Sequence, residues 1–249
     1  MVSKYATAIL ALGLACSPAA RAQQPHAPHW DYAGPAGPDA WGTLDVAYAR
    51  CGIGQAQSPV DIRATKEAAL PPLAPVYRPS HADVVDTGHT IQVDLTDAGA
   101  LTLDGTPYTL VQFHFHTPSE ETVAGQAYPM VAHLVHRSAE GRLAVIGVLL
   151  REGRAHPALD AVFDNLPVRA GAHTTLPAAF DVSALLPAER GYWRYTGSLT
   201  TPPCSEGVRW HVLKTPVEVS KAQIDALRAR YPANARPVQP LNGRVIEES

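Results

Sequence analysis

Charged side chains are scarce in this sequence. Lys, Arg, Asp and Glu make up 17% of its 249 residues and leave a formal net charge of −3, where an average globular chain carries about 25% charged residues. A nucleic-acid binder that works through a basic field needs clustered Lys and Arg, so that class is excluded. Long apolar runs are missing too: the opening run, Ala6 to Ala15, falls well short of the roughly 20 residues of a membrane helix. Also lacking are His-Glu-x-x-His, Cys-x-x-Cys, a Gly-x-Ser-x-Gly elbow and a phosphate-cradling glycine loop, which removes the chemistries those motifs carry. What the chain has in excess is proline, 23 residues of it, the mark of a loop-rich folded protein with many turns.

The amino end reads as an export signal. Val2 to Lys4 carries one positive charge, the apolar run follows, and Ala20-Arg21-Ala22 forms a small-residue cleavage site before Gln23. Residues 1–22 are therefore expected to be a cleaved signal peptide and 23–249 a single domain, without membrane insertion, in the periplasm or secreted. A lipoprotein reading through Cys16 is weak, because Gly13 stands where a lipobox usually has Leu. Of the three cysteines, cleavage removes Cys16, and two thiols left in an exported chain read as one disulfide, Cys51 to Cys204.

Gln23 to Gly42 is too rich in Pro, Gly and Ala for a regular element, but its aromatic residues suggest that it packs down. Short runs with period-two alternation follow: Ile91–Leu95, Tyr108–His116, Val131–His136, Leu143–Leu150 and Val208–Leu213. Asp104-Gly105 between two such runs predicts a hairpin. Two helices are expected: Pro157–Leu166, with proline at a first helical position, and a second behind the capping box Ser220-Lys221-Ala222-Gln223. The chain reads as mainly β, with a few short peripheral helices.

Alternation in Tyr108–His116 puts His114 and His116 on one face, with Gln112, Leu110 and Tyr108, and leaves Val111, Phe113 and Phe115 on the other. His133 comes 17 positions after His116, enough for a loop and a return strand that offers a third imidazole to the same face. Three imidazoles without a fourth protein ligand describe an open tetrahedral zinc site. His136 falls on the opposite face and reads as structural. His26, His29, His81, His156, His173 and His211 have no such geometry and are assigned no role.

Gln112-Phe113-His114-Phe115-His116-Thr117-Pro118-Ser119-Glu120, His133-Leu134-Val135-His136 and Gly197-Ser198-Leu199-Thr200-Thr201-Pro202-Pro203-Cys204 together resemble the alpha-class carbonic anhydrases. Further matches, among them Gln57-Ser58-Pro59-Val60-Asp61-Ile62, Gly88-His89-Thr90, Trp210 and Arg236-Pro237-Val238-Gln239-Pro240, extend the resemblance from about Trp30 to Arg244. It implies a large twisted, mostly antiparallel sheet of about ten strands and the Cys51–Cys204 disulfide. The implied activity is reversible hydration of carbon dioxide to bicarbonate and a proton, by attack of zinc-bound hydroxide. His114, His116 and His133 match the zinc ligands, Thr200 and Glu120 a pair that orients the hydroxide, and His89 a proton shuttle. Val135, Val145, Leu199 and Trp210 match the carbon dioxide pocket with Thr201 beside it, and Tyr32 and Gln92 match positions that order the relay water. The resemblance also admits a homodimer. A catalytically silent binding protein is the alternative, and a zinc esterase a side activity.

Two positions depart from the family. Val131 stands where a Glu commonly holds the third histidine, and Glu121 where His is usual. Losing the partner of a metal-bound imidazole typically costs about 10–100-fold in metal affinity or activity, so weaker zinc binding is expected, with Val131→Glu restoring it.

Overall fold

The computed structural model describes Met1 and residues 28–249; the expected signal peptide and cleavage site fall on residues 1–22 and, apart from Met1, lie with Cys16 and His26 outside the described residues. Seven strands build the centre of one twelve-stranded sheet: β1 (His81–Asp86), β2 (Ile91–Thr96), β3 (Thr106–His116), β4 (Met130–Arg137), β5 (Leu143–Glu152), β6 (Tyr192–Ser198) and β7 (Glu206–Val219). They lie in the order β1-β2-β3-β4-β5-β7-β6. Neighbours are antiparallel except β5 and β7, which run parallel. Short strands extend both edges, His173–Thr175 beside β1, and Ile246–Glu248 then Thr65–Glu67 beyond β6. The mainly β, mostly antiparallel expectation holds, with twelve strands in place of about ten.

The middle of the sheet is buried on both faces. One face carries the larger core, where Phe113, Phe115, Leu134 and Ile146 pack under Leu159, Val162, Ile224 and Leu227. The last four come from helix α1 (Pro157–Phe163) and helix α2 (Lys221–Arg230). Helix α1 ends three residues earlier than the apolar spacing suggested, because Pro167 follows Leu166 and disfavours helical backbone in the residue before it. Helix α2 begins as expected: Gln223 N donates to Ser220 Oγ at 3.2 Å, and Ser220 N to Gln223 Oε1 at 2.9 Å. The hairpin also forms, with Asp104 at φ 49° and Gly105 at φ 76°, both in the left-handed region that a two-residue turn of this kind needs.

In β3 the two faces separate less simply than strict alternation predicts. Tyr108 and Leu110 share the large core with Phe113 and Phe115, so the inward parity changes at Val111. The register against β4 slips there, Val135 facing Gln112 while His136 faces Leu110. One extra residue in a strand makes such a bulge. Only from Gln112 onward do the even positions point away from the large core, and that stretch carries the histidines.

Cys51 and Cys204 are joined, with their Cα atoms 5.0 Å apart. They pack with Trp41 and Tyr48, against which Trp30 and Tyr32 settle, so the described part of the Pro-rich amino end does pack down. No helix among the described residues is long and apolar enough to cross a membrane.

Candidate metal centre

The face of the sheet opposite the large core carries a cavity of about 260 Å³. Strand pairing builds its floor. His133 of β4 lies directly opposite His114 of β3, which in turn faces Gln92 of β2. His114, His116 and His133 each offer a ring nitrogen, all within 4.8 Å of one another. His136 points the other way and is buried, its Nε2 2.6 Å from Tyr77 Oη, as its structural reading required.

Which nitrogen each ring offers follows from what the other one touches. His114 Nδ1 is 2.9 Å from Gln112 Oε1, and His116 Nδ1 is 2.7 Å from the carbonyl of Asn234. His133 Nε2 is 3.2 Å from Glu121 Oε2. Each ring thus donates outward and leaves His114 Nε2, His116 Nε2 and His133 Nδ1 facing inward. His116 Nε2 is buried without a hydrogen-bond partner, a costly state for a polar atom unless a ligand completes it. Burial pushes the pKa of His114 down to about 3, helped by His133, and holds His116 well below its usual value. Both are thereby neutral, the form that binds metal. For His133, burial also pulls down, but the carboxylates of Glu121 and Glu120 outweigh it and raise its pKa. Neutral imidazoles above buried negative charge suit a divalent cation, and zinc fits this donor set.

Glu120 lies behind the histidines, 2% exposed. Its Oε1 accepts from Arg236 N at 2.9 Å, and its Oε2 is 3.4 Å from His116 Nε2 and holds no hydrogen bond. Burial raises its pKa to about 7 against the opposing pull of His133; Thr200 stands close enough to lower it, though no well-formed hydrogen bond joins the two.

Thr200 sits on a turn after β6. Leu199 N donates to Ser205 O and Cys204 N to Thr201 O, Trp210 Nε1 reaches Ser198 O at 3.0 Å, and the disulfide ties the far end. Glycine at 197 lets the turn pack closely, since a Cβ there would run into Ser58 Oγ and the Tyr195 ring. Val135, Val145, Leu199 and Trp210 line the cavity with Thr200 and Thr201.

The mouth is formed by Tyr32, His89 and Gln92. His89 stacks on Trp30 with ring centroids 3.7 Å apart, and its Nε2 lies 2.9 Å from the Trp30 carbonyl. Burial, with Glu120 and Asp31, holds the Tyr32 hydroxyl well above its usual pKa, so it is neutral. Gln92 Nε2 donates to Asp94.

All the residues expected in the site line this cavity except Glu120, which braces it from behind. Several others escaped sequence reading. Asn234 is one: its side chain binds the carbonyls of His89 and Phe115 and the amide of Thr117, while its own carbonyl takes His116. An asparagine more than a hundred positions downstream gives no local signal. Trp30 and Gln112 are others, and His29, read as bland, stands 6.3 Å from His89. The expectation of an unsupported third histidine is corrected, since Glu121 occupies the place that Val131 leaves without a polar group.

Comparison with known proteins agrees with this geometry. A family model described as eukaryotic-type carbonic anhydrase matches residues 36–249. The chain is 45% identical over 225 residues to a carbonic anhydrase of Klebsiella pneumoniae, covering 89% of this chain and 92% of that protein. It is 43% identical to one from Neisseria gonorrhoeae, covering 97% and 96%. The solved alpha-carbonic anhydrase of Thermovibrio ammonificans, in complex with sulfanilamide, superposes with a TM-score of 0.87 at 45% identity, covering 89% of this chain and all of that one.

Proposed function

The chain belongs to the eukaryotic-type carbonic anhydrase family, and on that premise we propose that it hydrates carbon dioxide reversibly to bicarbonate and a proton at the three-histidine centre. The observation that carries this reading is the convergence of three ring nitrogens within 4.8 Å, each ring held from outside. His114 Nε2, His116 Nε2 and His133 Nδ1 would hold zinc. When bound, zinc supplies a Lewis acid that lowers the pKa of a water to about 7, the value general to carbonic anhydrases.

The chain's own residues do the rest. Val135, Val145, Leu199 and Trp210 form a wall without charge, which accommodates a small apolar substrate and keeps bulk water from it. Thr201 offers one polar group at its edge. Glu120 Oε1 is fixed by the Arg236 amide, leaving Oε2 to accept the Thr200 proton, so that Thr200 Oγ1 accepts from the attacking oxygen and orients it. The released proton leaves through water ordered by Tyr32 and Gln92 to His89, whose two ring nitrogens can take up a proton on one side and pass one on from the other. The disulfide suits an oxidising compartment, and with the amino-terminal signal pattern it supports export to the periplasm or beyond.

Stopped-flow hydration of carbon dioxide is expected to be rapid with zinc and to vanish with a strong chelator. Zinc binding without hydration would favour the silent binding protein, and ester hydrolysis alone the esterase. His89→Ala should slow turnover in dilute buffer by roughly 10²-fold, the low end of acid–base catalysis, because little soluble buffer is then present to carry the same proton. Added imidazole should restore the rate, and a defect indifferent to buffer concentration would remove His89 from the shuttle role.

A further inference from the structure

We infer that Glu121 is the positioning residue of the metal centre: its carboxylate holds the outer nitrogen of His133, a partner that strand β4 itself does not provide. The inference rests on His133 being a metal ligand and concerns what orients its ring.

Side chains two apart on a strand share a face, so the β4 residue placed to reach back toward His133 Nε2 is Val131. That side chain is fully buried and packs with Val60, Ile62 and Tyr195; it can fill space there but accept no proton. The polar partner arrives from the loop after β3. Glu121 is 0% exposed, its Oε2 lies 3.2 Å from His133 Nε2, and its Oε1 accepts from the Tyr195 hydroxyl at 3.3 Å. Among the described residues, no arginine or lysine is paired with it. A buried carboxylate served only by one hydroxyl and one imidazole is poorly compensated. A cation at His133 Nδ1 would supply the missing charge through the ring, and the carboxylate in turn selects the tautomer that leaves Nδ1 free.

The same geometry reverses the expectation for Val131→Glu. A second carboxylate would enter a pocket that Glu121 already fills, beside Glu120, without any added cation. Like charges there compete for one ring nitrogen. The two positions are therefore alternative sources of a single carboxylate, and only one can hold it at a time.

The test is zinc affinity and zinc dissociation rate of the folded protein, measured by competition with a chromophoric chelator, alongside melting of the metal-free form. Glu121→Gln, which keeps the shape, is expected to weaken zinc binding about 10–100-fold with little change in the melting of the metal-free protein. Val131→Glu alone should not tighten binding. Combining Glu121→Gln with Val131→Glu should recover at least about tenfold of the lost affinity, since the carboxylate returns from the neighbouring strand. Unchanged zinc affinity in Glu121→Gln, or a double variant no better than that single one, overturns the proposal. Should Glu121→Gln not fold, Val131→Glu decides alone: tighter zinc binding overturns the assignment and weaker binding upholds it. Failure of the unaltered protein to bind zinc would instead strike the metal reading itself.

Discussion

His116→Ala should abolish zinc binding and carbon dioxide hydration together. His116 is the ligand with least alternative use: its Nδ1 is committed to the Asn234 carbonyl, and its Nε2 has no hydrogen-bond partner in the protein. Alanine removes one of three donors at a spot 1% exposed, and none of the neighbouring residues offers a neutral nitrogen in its place. Without the ion the remaining groups can only orient and exclude water, so the loss is expected on the order of 10⁶-fold, the low end of what enzymes contribute over the uncatalysed reaction. Metal analysis of the purified variant and stopped-flow hydration check the two halves. Retained turnover with the metal absent would break the link between this centre and the activity.

Thr200→Ala should leave zinc in place and lower turnover about 10²-fold, the scale of losing one preorganised hydrogen bond to a reacting oxygen. Thr200 touches none of the three ligating rings in the outward hydrogen bonds that hold them. Its turn is held independently by the Ser205 and Thr201 backbone bonds and by the disulfide, so the substitution removes a hydroxyl and little else. Thr200→Ser, which keeps the hydroxyl, should retain most of the rate. If alanine and serine variants hydrate carbon dioxide equally fast, the orienting role of Thr200 is wrong. The incomplete Thr200–Glu120 geometry sharpens this test, because Glu120 Oε2 is buried and still awaits a donor.

Much of this arrangement was legible in the residues. Alternation located the β3 and β4 histidines and placed His136 on the far face, because strand periodicity depends only on backbone geometry. Cysteine counting found the disulfide, and the capping box found the start of α2. Strand parity failed at Val111, where a bulge shifts the pattern: bulges depend on pairing with a partner strand, which a linear reading of β3 does not contain. The supports of the site were hidden for a related reason. Asn234 and Arg236 come from the irregular segment after α2, and Trp30 from the Pro-rich amino end; each acts through contacts between parts of the chain far apart in order. Val131 misled because an apparent deletion of one carboxylate was read at its own position, while the replacement had arrived ten residues earlier at Glu121.

Strands β3 and β4 stand near the middle of the sheet, each hydrogen-bonded on both sides and covered above and below. Backbone in such a place gives way only when the molecule as a whole does, whereas edge strands and termini fray first. The ligands are therefore mounted on the most persistent part of the fold. His89 and Tyr32 line the cavity from less deeply anchored parts of the chain, so partial melting at the periphery can reshape the cavity before it disturbs the three-histidine cage.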